Sequence, residues 1–436
     1  MKYTNGIIAG LVFLAGCQSY KVEELTEIPQ EVKSSINSVV DNKHRPGVVM
    51  GLTNPNGTFF YSYGTAFAGE DSELSLDSQF AIGSLTKLFT TETFQRLVDD
   101  KAVSYQTKLQ DIWPNINDGS DTQLLHLASH KAALPRKIPY EALANNDPTA
   151  LLATLGRSDT LPANYEYSNS GMAILALALA ELQDSTVSDL VTKTTLKPME
   201  LKDTGYVPVP GRLVGMHRVM EPVSRLNTTT VEIARGAGGL HSTARDLLKF
   251  LSYQINAAES AESKKFGNIG WKKFENDSFV SYYHGGDGNG NQAFIAYRPD
   301  NKVGVVILSN SSADDELQSI ALHLIDPTIK LPKFDSPPAR KYSDEELAPF
   351  VGDYSIKDMP EDNLFTFKNR DGRMVYIEKT AEGELVRRSR MYGIDDHQFK
   401  LKEIPLTVSF FRSEPKNYDA ILKFQDQEYY LVKKRN

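Results

Sequence analysis

In the stretch AIGSLTKLFT a serine precedes a lysine by three residues, Ser84 and Lys87. A serine hydroxyl is a poor nucleophile until a base takes its proton. On a helix, residues three apart share a face, which would set the amine beside the hydroxyl. At a buried helix start, desolvation and the helix dipole both lower a lysine pKa, so the amine could serve as that base. The same two residues also read as a helix cap followed by a solvated lysine. The spacing recurs at Ser413 and Lys416 around Pro415, where no helix start fits.

A second constellation is YSNSG, with Tyr167 and Asn169 in a loop before an apolar run. A tyrosine beside a cation can lose its proton and act as a base. Asn169 or Ser170 would serve equally as a cap for the helix that follows. Tyr-x-Asn occurs again at Tyr3 and Asn5. A third is HGGDGNGN, residues 284–291. Gly285 and Gly286 after His284 would let a substrate approach the backbone, where an N–H could hold an oxyanion. A glycine-rich hairpin, a phosphate loop and a calcium loop are the other readings. The calcium loop fails because Gln292 stands where glycine is needed and Arg298 where a bidentate glutamate should be. His126 and His130 have a zinc-compatible spacing but lie outside any His-Glu-x-x-His, and a packed or capping pair explains them. No metal is expected.

The elements that must position these groups can be read from pattern. At 436 residues the chain suggests two or three units. GVVMGLTNPNGTFFYSYGTAF, residues 47–67, predicts a hairpin about Asn-Pro-Asn-Gly. Residues 79–83 predict a short extended run into a helix near Ser84. Leu85, Leu88, Phe89, Phe94, Leu97 and Val98 recur at helical spacing. MAILALALAELQ, 172–183, is apolar nearly all round and predicts a buried helix. Thr243 and Asp246 fit a capping box. Strands are expected at 278–284, 292–299 and 302–310, with a helix after them. Strands at both ends with helices between imply one sheet built from both termini. Residues 326–343, with four prolines, read as a linker. Residues 344–436 alternate apolar and polar, as an all-β barrel or sandwich does.

The net charge of −8 gives no basic face for nucleic acid. Cys17 is the single cysteine, so no intrachain disulfide can form. Residues 1–16 carry one early lysine and a short apolar stretch ending in small residues, as a secretory signal does. Leu14-Ala15-Gly16-Cys17 resembles a bacterial lipobox. It implies cleavage before Cys17, lipidation there, a tether over 17–30, and a membrane contact through the anchor. With Gln18 next, a cell with two membranes would place the protein on the outer membrane, facing the periplasm.

The order of motifs, Ser-x-x-Lys, Tyr-x-Asn and His-Gly-Gly, resembles the serine β-lactamase and penicillin-binding protein superfamily. FAIGSLTKLFT, LLHLASHKAALP, YSNSGMAILALAL, LKPMELKDTGY and GAGGLHSTARDLLKF point to its class C β-lactamase-like branch, which includes D,D-carboxypeptidases, D-aminopeptidases and esterases. The resemblance covers about residues 31–325. It implies an α+β fold: an antiparallel sheet flanked by helices, a helical subdomain, and here a C-terminal barrel-like domain. It implies that Ser84 is acylated, that Lys87 and Tyr167 share its proton, and that Asn169 orients Lys87 and the substrate amide. His284, Gly285 and Gly286 would form the third motif. The N–H groups of Ser84 and Asp287 would make the oxyanion hole. The implied substrates are D-amino-acid peptides of the cell wall, possible contact with peptidoglycan included, or small esters and amides, with no cofactor. A slowly acylating sensor or binding protein on the same fold is the alternative. Two departures stand out. His284 lacks the charge of the lactamases' lysine, which argues against efficient penicillin hydrolysis. HKAALP, 130–135, replaces the usual HTSGLP and loses its glycine.

Overall fold

The two runs about Asn-Pro-Asn-Gly form β1 (Gly47–Asn54) and β2 (Gly57–Gly64), antiparallel, with Asn54 opposite Gly57. The late strands are β3 (Lys272–Glu275), β4 (Val280–Asp287), β5 (Gln292–Arg298) and β6 (Val303–Ser309). They complete one antiparallel sheet in the order β2-β1-β6-β5-β4-β3. This is a computed structural model, and it describes residues 21–434 apart from 117, 118, 120, 156–160, 219, 224–230, 259–267, 289, 313–316, 333, 335–341, 358, 360–363, 371, 394–396, 402–405, 412–417 and 425–426.

Side chains alternate across a strand, and the sheet uses both faces. Val48, Met50 and Leu52 of β1 pack with α1 (Gln30–Asp41) and α5 (Leu317–Ile325). Val49, from the same strand, belongs to the opposite core with α2 (Thr86–Asp99), α3 (Asn169–Leu182) and α4 (Ala244–Ala257). Helix α3 is the apolar run expected at 172–183, and Met172 to Ala176 are all buried. Thr243 caps α4 by accepting from the Asp246 N–H. The Asp246 carboxylate instead accepts from the Asp203 N–H and the Thr204 hydroxyl, so it ties the helix start to a neighbouring turn.

Two compact units divide between residues 336 and 337. The second is a closed antiparallel barrel of eight strands, β7 to β14: Gly352–Ile356, Leu364–Arg370, Arg373–Lys379, Leu385–Gly393, Gln398–Leu401, Leu406–Phe410, Ala420–Phe424 and Gln427–Lys433. Its interior is filled by side chains such as Tyr354, Phe367, Phe399, Val408 and Phe410. Among the described residues no helix is long and apolar enough to cross a membrane.

The segments expected as tether and linker are partly docked. Val22 and Ile28 are buried in the first unit, and the Val22 carbonyl accepts from the Asn54 amide. Phe334 is buried against α1, whose Ser35 and Ser38 hydroxyls donate to the Pro332 and Phe334 carbonyls. Tyr342 is buried in the barrel core. Single apolar residues anchor these stretches, which composition alone does not reveal. Cys17, Tyr3, Asn5 and the second Ser-x-x-Lys at Ser413 and Lys416 lie outside the described residues.

Candidate active site

Ser84 sits in a single 3₁₀ turn, Gly83–Leu85, between the short strand Phe80–Ala81 and helix α2. It is half-buried and its hydroxyl caps nothing. Lys87, in the first turn of α2, is fully buried. Its amine donates to Ser84 Oγ at 3.2 Å and to the Ala237 carbonyl at 2.7 Å. A solvated surface lysine is therefore ruled out. Burial, with the positive charge of Arg136 second, brings this amine down to about 7. Helix α2 holds the anchoring segment directly: Thr90 donates to the Gly236 carbonyl, and Thr86 accepts from the Leu240 N–H.

Tyr167 is brought to the same place from the far side. Ser168, not Asn169 or Ser170, caps α3, accepting from the Gly171 N–H. Residue 168 keeps an extended backbone as a cap must, and Asn169 begins the helix. The loop carrying Tyr167 is laced to residues 130–137. The Glu166 N–H donates to the His130 carbonyl, Asn169 N–H to Arg136, and the Ser170 hydroxyl to Lys137. The Tyr167 ring lies 5.0 Å from the Lys87 amine, and Ser84 is close enough to act on its phenol. Burial pushes the phenol up, outweighing the opposing pulls of Ser84 and Arg136. The group rests as a phenol rather than a phenolate. Asn169 lines the cleft beside Ser84. The two hydrogen bonds of the Lys87 amine go to Ser84 and Ala237, and neither goes to Asn169.

Strand β4 runs against the Ser84 turn. A Cβ on Gly286 would fall 2.0 Å from the Ile82 carbonyl oxygen, and one on Gly83, at φ +51°, would fall 2.2 Å from the Asp287 carbonyl oxygen. Both positions need glycine because two backbones touch there. The contact sets the Asp287 backbone beside Ser84. Gly285 is different: a Cβ there would meet only ordinary contacts, the nearest at 3.8 Å.

Two histidines flank Tyr167, with ring centroids 4.8 Å away for His130 and 6.3 Å for His284. Burial and the charge of Lys87 bring His130 down to about 4 and His284 to about 3, so both are neutral at pH 7. His130 Nδ1 accepts from the Ser168 N–H, and its Nε2 is buried without a partner among the described residues. His126 Nδ1 accepts from the Gln123 N–H, so the two histidines of the zinc-like spacing serve separate backbone groups.

A cavity of about 460 Å³ opens on Ser84, walled by Ile138, Leu143, Ala234, Ala237 and Leu240. Its lining also includes Lys137, Asn169, His241 and Asp287. The residue-level reading missed Ala237, whose backbone carbonyl anchors the lysine. It also missed Arg136, which acts through space. GAGGL was visible as a stretch, but a carbonyl has no side-chain signal.

Residues 32–327 match the beta-lactamase family. The D-alanyl-D-alanine-carboxypeptidase/endopeptidase AmpH of Escherichia coli strain K12 is 28% identical over 224 residues, 48% of this chain and 58% of its own length. The chain thus spans little more than half of that relative. A penicillin-binding protein of Bacillus subtilis is 21% identical over 420 residues, 84% of this chain and 90% of its own. The class C beta-lactamase of Rhodobacter sphaeroides superposes with a TM-score of 0.60 at 21% identity, over 69% of this chain and 100% of its own. A beta-lactamase/D-alanine carboxypeptidase of Pseudomonas syringae also gives 0.60, at 17% identity, over 69% of this chain and 98% of its own. The family match covers well over half of the sequence, and the fold agrees with it: the chain belongs to the beta-lactamase family.

Proposed function

We propose that the protein is a serine hydrolase working through an acyl-enzyme on Ser84. The observation that carries this is the fully buried Lys87 amine, held near neutrality 3.2 Å from the Ser84 oxygen. A neutral amine there accepts the serine proton as Oγ attacks a carbonyl carbon. The N–H groups of Ser84 and Asp287 face the resulting oxyanion. Tyr167, protonated at rest, passes a proton to the departing nitrogen or oxygen as the scissile bond breaks, and recovers one from Lys87. Water then cleaves the ester on Ser84 by the reverse relay, releasing the acid and restoring the hydroxyl.

The substrate class that suits this site is a peptide ending in D-amino acids, as in cell wall, or a small amide or ester. The carboxypeptidase named among the relatives supports it, and the compact apolar wall of the cavity fits a small acyl side group. A panel of a β-lactam, a D-Ala-D-Ala peptide, a D-amino-acid amide and a short acyl ester tests the reading on wild type and Ser84→Ala. Turnover lost in the variant supports it. Labelling without turnover favours the sensor reading, and turnover retained in the variant refutes the mechanism.

The same proposal places the enzyme at the cell envelope, anchored by a lipid on Cys17. Metabolic labelling with palmitate that disappears in Cys17→Ala is the expected result; unlabelled wild type overturns it.

A further inference from the structure

His130 lies against Tyr167 from outside the three motifs, and the proton relay through Lys87 and Tyr167 does not use it. It follows the short helix Leu124–Ala128 and takes a left-handed backbone, φ +59°. That conformation is uncommon for a residue with a Cβ, and such outliers cluster where a site needs a fixed geometry. Only 4% of the residue is exposed. Its imidazole lies 4.8 Å from the Tyr167 ring and 5.7 Å from the Tyr165 ring.

The hydrogen bonds of His130 run to the residues on either side of Tyr167. The Glu166 N–H donates to its carbonyl at 2.9 Å, and the Ser168 N–H donates to its Nδ1 at 3.2 Å. Ser168 also caps α3, and its hydroxyl donates to the Pro135 carbonyl. One residue thus holds the backbone before and after Tyr167 and packs on its ring. Because Nδ1 accepts, the neutral imidazole carries its proton on Nε2. That N–H is buried without a partner among the described residues. A buried polar group normally finds a partner, so this ring forgoes a hydrogen bond to keep its place on Tyr167. A phenol stands at the far end of its side chain. A small rotation of the ring would carry its oxygen away from Ser84 and the departing atom, and such misplacements cost rate steeply.

We propose that His130 is a positioning residue for proton delivery to the leaving group. It fixes the backbone on both sides of Tyr167 and the plane of its ring, so that the phenol meets the departing nitrogen. This rests on the hydrolase reading above. In the step concerned the C–N bond of the tetrahedral intermediate breaks and the phenol proton passes to the nitrogen. The amine leaves neutral, and the phenolate takes the proton that Lys87 received from Ser84. The demand falls on amides, whose nitrogen is a poor anionic leaving group. A p-nitrophenyl ester releases a stable phenolate and does not need that proton.

The test compares N-acetyl-D-alanyl-D-alanine with N-acetyl-D-alanine p-nitrophenyl ester, which share an acyl group, by kcat/KM. His130→Asn suits a left-handed backbone and keeps an oxygen for the Ser168 N–H, but removes the ring. It is expected to slow the peptide by about 10- to 100-fold and the ester by less than about threefold. His130→Gln also removes the ring and is expected to lower the peptide-to-ester ratio likewise, so the test does not hang on one variant folding. Tyr167→Phe is expected to slow the peptide at least as much as His130→Asn, and adding His130→Asn to it to cost nothing further, because His130 acts through Tyr167. Melting curves check that each variant folds. Equal losses on the two substrates, an unchanged ratio, or full additivity with Tyr167→Phe would make His130 a merely structural residue and overturn the inference. Wild type that cleaves the ester but not the peptide would overturn it too, while leaving the hydrolase intact. Absence of Ser84 labelling by a fluorophosphonate, with neither substrate cleaved, overturns the hydrolase reading and this inference with it.

Discussion

Ala133 takes φ +53° and is exposed, at the place where the resemblance implies a glycine. The loop thus keeps a left-handed backbone although its residue disfavours it, a cost of about 1–2 kcal/mol. Ala133→Gly is expected to raise stability by about 0.5–1 kcal/mol, part of the gain being offset by chain entropy. Urea or thermal denaturation measures it, and a destabilised variant would show that the loop tolerates alanine without strain. Lys87 gives the residue-scale prediction for activity. With its amine at about 7, kcat/KM should rise with pH through an ionisation near 7. Removing the positive charge in Arg136→Gln should move that limb to higher pH, because a nearby cation is what helps hold the amine deprotonated. A limb that stays put would remove Arg136 from the account. The same amine affects stability. Between about pH 7 and its ordinary value of 10.5 the unfolded chain holds a proton that the folded chain has released. Wild-type stability should therefore rise with pH in that window relative to Lys87→Met, at roughly 1 kcal/mol per pH unit. The residue types of this site were legible from spacing and order. The burial of Lys87 was not, because it depends on Ala237, 150 residues away.

The elements were legible where apolar periodicity is strong. The hairpin about residues 54–57, helix α3 and the late strands follow directly from it. Less legible were features set by backbone contact between distant segments. Gly285 and Gly286 look alike in sequence, and both read as room for a substrate. In the fold only Gly286 is forced, because β4 touches the nucleophile turn there. Gly286→Ala should displace β4 from Ser84 and lower kcat by on the order of 100-fold, as small misplacements at a reacting centre do. It should also destabilise by about 1–3 kcal/mol. Gly285→Ala should fold with nearly unchanged stability. Paired melting curves and kcat values read both, and equal behaviour of the two variants would contradict the close approach. The cap of α3 was one residue off for a similar reason. Ser168, Asn169 and Ser170 are all good caps by type, and the lacing of residues 130–137 to 163–170 decides which of them turns extended.

At the scale of the whole molecule the chain carries separate cores, one pair about the sheet and one inside the barrel. Tyr354, Phe367, Phe399 and Phe410 fill the barrel's own interior. The alternation that revealed this unit in sequence is the same alternation that closes it. Residues 21–336 made without the barrel are expected to fold and to keep Ser84 reactive, and the intact chain to unfold in more than one step by calorimetry. Loss of Ser84 reactivity in that shortened chain would give the barrel a part in the site. The central claim concerns the hydroxyl at 84 and the amine at 87, and one measurement addresses both. A fluorophosphonate or fluorescent penicillin is reacted across pH 5–9 and the adduct located by mass spectrometry. The account predicts an adduct on Ser84 whose rate of formation rises with a midpoint near pH 7, and which is absent in Ser84→Ala and at least about 100-fold slower in Lys87→Ala. An adduct on another residue, or a rate on Ser84 indifferent to pH and to Lys87→Ala, would contradict it.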